Sequence, residues 1–102
     1  MKTQDNSIAL ETLKQDLANK KEIIIIDVRN LDEYNEKHIP SAISIPLDRL
    51  EEIAGAFGKS KLYVTACGKG GGRSAEGAVK LQGLGFDAIY LCGGTFGWFD
   101  NQ

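Results

Sequence analysis

The feature that most constrains the fold is a run of four consecutive isoleucines, residues 23–26, followed directly by Asp27. Isoleucine is β-branched and favours extended backbone, and an unbroken apolar run leaves no polar face for solvent. Such a run is typical of a strand buried on both faces, the arrangement found in parallel sheets. The sequence therefore predicts an interior parallel strand over residues 23–27, with Asp27 at its carboxyl end.

Helical and extended patterns alternate along the rest of the chain. Apolar periodicity predicts further strands over residues 42–45, 61–66 and 88–91. It predicts helices over residues 8–20 with Ser7 as N-cap, 31–35, 47–57 ending at Gly58, 74–84 ending at Gly85, and 95–99. This alternation predicts an α/β fold, an open and mostly parallel sheet of four to five strands flanked by helices on both faces. Because ligands collect beyond the carboxyl ends of parallel strands, we expect Asp27, Cys67 and Cys92 at the functional edge.

Composition narrows the class of protein. Residues 1–102 are 42% apolar and 25% charged, as in an ordinary soluble protein, and their number suits a single domain. The net charge of -2 gives no reason to expect nucleic acid or an anionic membrane as partner. The longest apolar run is far too short to cross a bilayer, and the first residues contain no apolar signal core. We therefore expect a cytoplasmic location.

The two cysteines are too few for a disulfide framework and would be free thiols in a reducing compartment. With one histidine and no Cys-x-x-Cys pair, the sequence offers no set of four zinc ligands at suitable spacing. We therefore expect chemistry without a metal or a cofactor.

A glycine-rich loop joins the predicted strand over residues 61–66 to the next predicted helix. It runs Cys67-Gly68-Lys69-Gly70-Gly71-Gly72-Arg73-Ser74. Its glycines let successive backbone N–H groups point at one centre, and the following helix adds the positive end of its dipole. Such a cradle stabilises the thiolate of a cysteine that faces it. We therefore expect Cys67 to be a reactive nucleophile, with Arg73 donating to an anion, Lys69 at the rim, and Ser74 capping the helix and donating into the loop.

Other interpretations of this loop stay open. Cys67 alone is also compatible with a small buried apolar residue. The glycines are compatible with a nucleotide phosphate loop, although the Walker spacing is absent. Lys69 is equally compatible with a solvated surface lysine, and Arg73 with a structural ion pair.

Four sequence blocks occur in a fixed order along nearly the whole chain. They are IIDVR at residues 25–29, a block with Glu33-Tyr34, His38-Ile39-Pro40-Ser41-Ala42 and Ile45-Pro46, the loop at residues 67–74, and a closing block with Gly83-Leu84-Gly85-Phe86, Leu91, Gly93-Gly94 and Trp98. Together they resemble the single-domain rhodanese (sulfurtransferase) family. The resemblance implies the same open α/β sheet in one rhodanese-like domain.

The resemblance also implies roles for individual residues. Cys67 would form a persulfide whose outer sulfur is held by the backbone amides of residues 68–73, and Arg73 would bind an anionic donor or support the loop. Supporting hydrogen bonds would come from Asp27, Arg29 and His38, and Trp98 would pack in the core. Cys92 is compatible with a small buried residue or with a resolving thiol for Cys67.

Two departures from the family pattern bear on the function. Lys37 and Ser41 stand where the family usually has glycine, and five residues separate Cys67 from Arg73 where four are usual. The longer spacing resembles cysteine phosphatases and arsenate reductases. The favoured hypothesis is transfer of sulfane sulfur from thiosulfate, polysulfide or a protein persulfide to a thiol or cyanide. Oxyanion chemistry at the same cysteine and a non-enzymatic interaction module are the alternatives.

Overall fold

The computed structural model describes residues 7–68 and 72–100. They form a five-stranded sheet in the order β1-β5-β4-β2-β3, and all of its strand pairs are parallel. The strands are β1 (Ser7–Ile8), β2 (Ile23–Asp27), β3 (Ile43–Ser44), β4 (Leu62–Ala66) and β5 (Asp87–Leu91). The α-helices are α1 (Leu10–Ala18), α2 (Leu31–Glu36), α3 (Leu50–Ala54), α4 (Arg73–Gly83) and α5 (Gly94–Asp100). The predicted α/β fold with a parallel sheet is confirmed.

Successive isoleucines of β2 point to opposite faces of the sheet, and each face carries its own apolar core. Ile26 is buried beneath α3 and α4, where it shares a cluster with Leu50 and Leu81. Ile25 is buried on the other face, in a cluster with Leu13 of α1. Burying one such side chain contributes about 1.5–3 kcal/mol. The isoleucine run is unbroken because both faces of the sheet are covered by helices.

Three predicted site residues meet at one edge of the sheet. Asp27, the last residue of β2, pairs with Ala66, the last residue of β4. Cys67 follows Ala66 directly, and Cys92 follows the last residue of β5 in the same way. Because β2, β4 and β5 are neighbours and run parallel, their carboxyl ends open on the same side.

The predicted start of the first helix is wrong. Ser7 is not an N-cap, because it belongs to β1 and pairs with Tyr90 of β5. The carbonyl of Ile8 accepts from the N–H of Cys92 at 2.9 Å. The helix begins at Leu10, after Ala9. Backbone hydrogen bonds at this edge of the sheet therefore make the segment a strand, although periodicity alone assigned it to a helix.

The predicted helix over residues 47–57 is shorter and irregular. It starts as a 3₁₀ turn over Leu47–Arg49 and continues as α3, which ends before Gly55 and not at Gly58. Beyond α3, the N–H of Phe57 returns to the carbonyl of Ala54 at 2.9 Å in a tighter turn. This turn stacks the ring of Phe57 on that of Tyr63, at 5.5 Å between centroids. Aromatic packing therefore overrides the longer helix.

No helix within residues 7–68 and 72–100 combines the length and the apolar character needed to cross a lipid bilayer.

Candidate active site

Cys67 is held from two sides at the end of β4, the middle strand of the sheet. It is 5% exposed. Its carbonyl accepts from the N–H of Thr95 at 2.7 Å, and the carbonyl of Gly68 accepts from the N–H of Phe96 at 2.9 Å. On the other side its thiol donates to the hydroxyl oxygen of Ser74 at 3.4 Å. The first turns of α4 and α5 therefore fix the backbone and the side chain of this cysteine.

The start of α4 brings the positive end of a helix to the sulfur. Gly72 occupies the N-cap position with φ +48°, a left-handed conformation that glycine adopts without strain. Arg73 is the first helical residue and Ser74 the second. Because Ser74 touches the sulfur of Cys67, the helix dipole acts on that sulfur at close range. This geometry suits a nucleophile that carries negative charge.

Ser74 does not cap α4, which corrects its predicted role. Gly72 fills the N-cap position, and no side chain caps the helix there. Ser74 is fully buried, and its carbonyl accepts from the hydroxyl of Thr65 at 2.7 Å. Its hydroxyl instead contacts the sulfur of Cys67, where it can donate once that sulfur is a thiolate. The predicted hydrogen bond from Ser74 into the loop stays a prediction.

Arg73 forms a two-pronged ion pair with Glu33 of α2. Its Nη1 lies 3.0 Å from Glu33 Oε1 and its Nη2 lies 3.4 Å from Glu33 Oε2. The bonds from Arg73 lower the pKa of Glu33, and the N–H of Asn30 adds to this effect. The same pair raises the pKa of Arg73, and the charge of Cys67 contributes in the same direction. The ion-pair interpretation of Arg73 is thus realised.

A second arginine–carboxylate pair lies deeper, just beyond β2. Arg29 donates to Asp27 through Nε at 2.9 Å and through Nη2 at 2.7 Å, and both side chains are at most 2% exposed. Bonding to Asp27 raises the pKa of Arg29. A further bond from Arg29 Nη2 reaches the carbonyl of Lys37 at 2.6 Å. The pair therefore ties the end of β2 to the residue that follows α2 and does not contact Cys67 among the described hydrogen bonds.

His38 is engaged away from the described contacts of Cys67. Its Nδ1 lies 2.8 Å from the carbonyl of Tyr34, and the two rings stack at 3.8 Å between centroids. The hydroxyl of Tyr34 donates to the carbonyl of Ala42 at 2.6 Å. The histidine is thus part of the packing that fixes α2 and the turn after it. The substitution of Ser41 for glycine in that turn leaves a positive φ of 68°.

The structure contradicts one of the two interpretations of Cys92. The expectation of a small buried residue is wrong, because Cys92 is an exposed free thiol. The β4–β5 register aligns Leu62 with Asp87 and Thr65 with Tyr90. Each cysteine lies two residues beyond the last of these pairs. Its role as a resolving thiol stays a prediction.

Lys69, Gly70 and Gly71 lie outside the described residues, so the predicted rim position of Lys69 and the effect of the longer loop stay predictions. Within the described part of the chain, no three His, Cys, Asp or Glu side chains are grouped to hold a metal ion.

Sequence reasoning missed two residues that contact the two ends of the glycine loop. The ring of Phe96 packs against Gly68, where a β-carbon would lie 3.2 Å from the ring, and it is 44% exposed. Glu33 was noted only as part of a motif and proves to be the partner of Arg73. Both contacts join segments far apart in sequence, so no local pattern marks them.

Comparison with known proteins agrees with this architecture. The sequence profile of the rhodanese-like domain matches residues 9–101. A thiosulfate sulfurtransferase, GlpE of Coxiella burnetii, is 34% identical over 84 residues, which are 81% of this chain and 78% of GlpE. The chain is 32% identical to YrkF of Bacillus subtilis over 82 residues, 80% of this chain, but spans only 44% of that protein.

A solved structure shows the same fold. The crystal structure of a rhodanese-like domain protein from Staphylococcus aureus superposes with a TM-score of 0.83 at 36% identity. The alignment covers 93% of this chain and 92% of that one. The profile match, the sequence relatives and the shared fold agree, and this chain belongs to the rhodanese-like family of sulfurtransferases.

Proposed function

We propose that this protein transfers sulfane sulfur through a persulfide on Cys67, with thiosulfate, polysulfide or another persulfide as donor and a thiol or cyanide as acceptor. The observation that carries the proposal is the contact between Cys67 and Ser74 in the first turn of α4. It puts the sulfur against the positive end of a helix, within the electrostatic reach of Arg73. The relation to GlpE, named a thiosulfate sulfurtransferase, supports the same chemistry.

The first half-reaction loads sulfur onto the enzyme. The Cys67 thiolate attacks the outer sulfur of thiosulfate, a bond forms between the two sulfurs, and the bond to the sulfonate sulfur breaks. Sulfite leaves with the electron pair of the broken bond, and Cys67 keeps one extra sulfur as a negatively charged persulfide. Charge balances without an oxidant, a reductant or a metal.

The second half-reaction unloads the persulfide. A thiolate or cyanide attacks the terminal sulfur, and the thiolate of Cys67 leaves and is regenerated. Throughout the cycle the negative charge stays near the same atoms. A fixed set of donors, namely the Ser74 hydroxyl and the start of α4, can therefore stabilise both forms of the enzyme.

Steady-state kinetics test this proposal. Because the sulfur resides on the enzyme between the two half-reactions, double-reciprocal plots against donor at several acceptor concentrations should give parallel lines. Cys67→Ser should abolish turnover, and Cys92→Ser should retain it. Intersecting lines, or turnover that survives in Cys67→Ser, would contradict the proposal.

The spacing of five residues between Cys67 and Arg73 favours oxyanion chemistry as a second candidate. Phosphate ester hydrolysis also needs a general acid for the leaving oxygen. The loop itself contains no Asp or Glu. Assays of phosphatase turnover, and of arsenate reduction with a thiol, test this candidate, and activity in neither removes it.

A further inference from the structure

Arg73 is paired with a carboxylate and directly precedes Ser74, whose hydroxyl contacts the sulfur of Cys67. On one side it is bonded to Glu33 at 3.0 and 3.4 Å, and on the other it lies within electrostatic reach of Cys67. Its side chain is 46% exposed, so an incoming donor can reach it. Any anion that approaches Cys67 past Arg73 therefore meets a cation whose charge is already partly balanced by a carboxylate.

Glu33 is fixed in this place by its own helix. Glu33 is the third residue of α2, and its N–H donates to the side chain of Asn30 at 3.1 Å. In return, the N–H of Asn30 donates to Glu33 Oε1 at 3.3 Å, which completes a capping box. The carboxylate is therefore fixed by two partners, the N–H of Asn30 and the guanidinium of Arg73, before a donor binds.

An open cleft lies on a further side of Arg73. Its volume is about 380 Å³, and its lining includes the apolar side chains of Val28, Pro46 and Leu47 together with Arg73. The other lining residues are polar or charged, namely Asn30, Asp48, Glu76 and Lys80. Val28 belongs to the same buried cluster as Cys67, so the cleft adjoins that cluster. A space of this size, with Arg73 in its wall, exceeds what a thiosulfate ion fills.

We infer that Glu33 determines donor specificity by disfavouring small dianions such as thiosulfate relative to monoanionic organic persulfides. The inference rests on the proposed function, because it concerns which donor loads Cys67. A dianion carries one more negative charge than an organic persulfide and is repelled more strongly by Glu33. For one charge several ångströms away, this difference corresponds to a factor of about three to ten in relative rate.

The test uses the substitution Glu33→Gln. Glutamine keeps an oxygen that can accept the reciprocal capping bond at the start of α2. It removes the charge together with one of the two hydrogen bonds from Arg73. The control is Asp32→Asn. Asp32 is the adjacent, exposed carboxylate in the same turn of α2, so this substitution removes the same charge at a neighbouring position. For wild type and both variants, kcat/KM is measured with thiosulfate and with a small alkyl persulfide, against the same thiol acceptor.

Glu33→Gln should raise the ratio of kcat/KM for thiosulfate to that for the persulfide about three- to tenfold. The increase should shrink at an ionic strength near 1 M, where the Debye length falls to about 3 Å. A purely structural role would change both donors alike and would not depend on salt. An unchanged ratio, a ratio that is insensitive to salt, or an equal change in Asp32→Asn would overturn the inference.

Failure of the proposed function gives a different result. If wild type shows no Cys67-dependent transfer with either donor, the proposed function itself is wrong. If transfer occurs and requires Cys67, but Glu33→Gln leaves the ratio of kcat/KM for the two donors unchanged, only the specificity inference is wrong.

Discussion

Cys67 follows the last residue of β4, and Cys92 follows the last residue of β5, the neighbouring parallel strand. Each is followed by a glycine, and each lies two residues beyond the last residue pair between β4 and β5. Yet Cys67 is 5% exposed and touches Ser74 of α4, whereas Cys92 is exposed and its N–H serves the edge strand β1.

The difference lies in what each strand end is joined to. β4 is in the middle of the sheet, between β2 with its buried Asp27–Arg29 pair and β5, and it leads through the glycine loop into the eleven-residue α4. β5 has only the two-residue β1 on its outer side. A place at the carboxyl edge of a parallel sheet is therefore not sufficient for a reactive cysteine. The cysteine must also lie close to charged side chains and to the start of a helix.

The largest effect on stability should come from breaking the buried Asp27–Arg29 pair at the end of β2. Asp27→Asn leaves the guanidinium of Arg29 without its carboxylate at a site that is at most 2% exposed. We expect a loss of about 3–5 kcal/mol in the free energy of unfolding, measured by urea denaturation.

Glu33→Gln is the matched control, since it also changes an acid to an amide in an arginine pair. That pair is partly exposed, so its loss should cost less than about 1 kcal/mol. Equal losses in the two variants would contradict the larger contribution expected of the buried pair.

The alkylation rates of the two cysteines should depend differently on the charge of the reagent. Iodoacetate is an anion and iodoacetamide is neutral, but they deliver groups of nearly the same size. At Cys67 the start of α4 and Arg73 attract the anion, so the iodoacetate-to-iodoacetamide rate ratio should be about fivefold higher than at Cys92. Rates are measured on Cys92→Ser and Cys67→Ser respectively, each with a single thiol. The same ratio at both sites would remove the claim of an anion-attracting environment at Cys67.

Substituting alanine for the glycine after each cysteine should affect different properties, namely stability at Gly93 and sulfur loading at Gly68. Gly93 has φ +84°, so Gly93→Ala should cost about 1 kcal/mol of stability and leave sulfur loading of the folded protein unchanged. At Gly68 a β-carbon would lie 3.2 Å from the exposed ring of Phe96, which must shift.

Gly68→Ala should therefore slow loading several-fold with little loss of stability. Thermal unfolding and the rate of persulfide formation measure the two effects. A loading defect in Gly93→Ala, with none in Gly68→Ala, would reverse the comparison.

The parts of the fold that could be predicted from the sequence are those set by local pattern. The isoleucine run predicts β2 because its character shows over five residues, and the glycines between Cys67 and Ser74 predict the position of the site. β1 could not be predicted, since its two residues are defined by pairing with Tyr90 near the other end of the chain. The bond between Arg73 and Glu33 spans 40 residues and depends on where the sheet places α2 beside α4.

Intact mass spectrometry tests the central claim most directly. After incubation with thiosulfate or an alkyl persulfide, wild type and Cys92→Ser should each gain the mass of one sulfur atom, and a thiol or cyanide should remove it. Cys67→Ser should gain nothing. An equal adduct on Cys67→Ser, or no adduct on wild type with any sulfane donor, would contradict the assignment of Cys67 as the sulfur carrier.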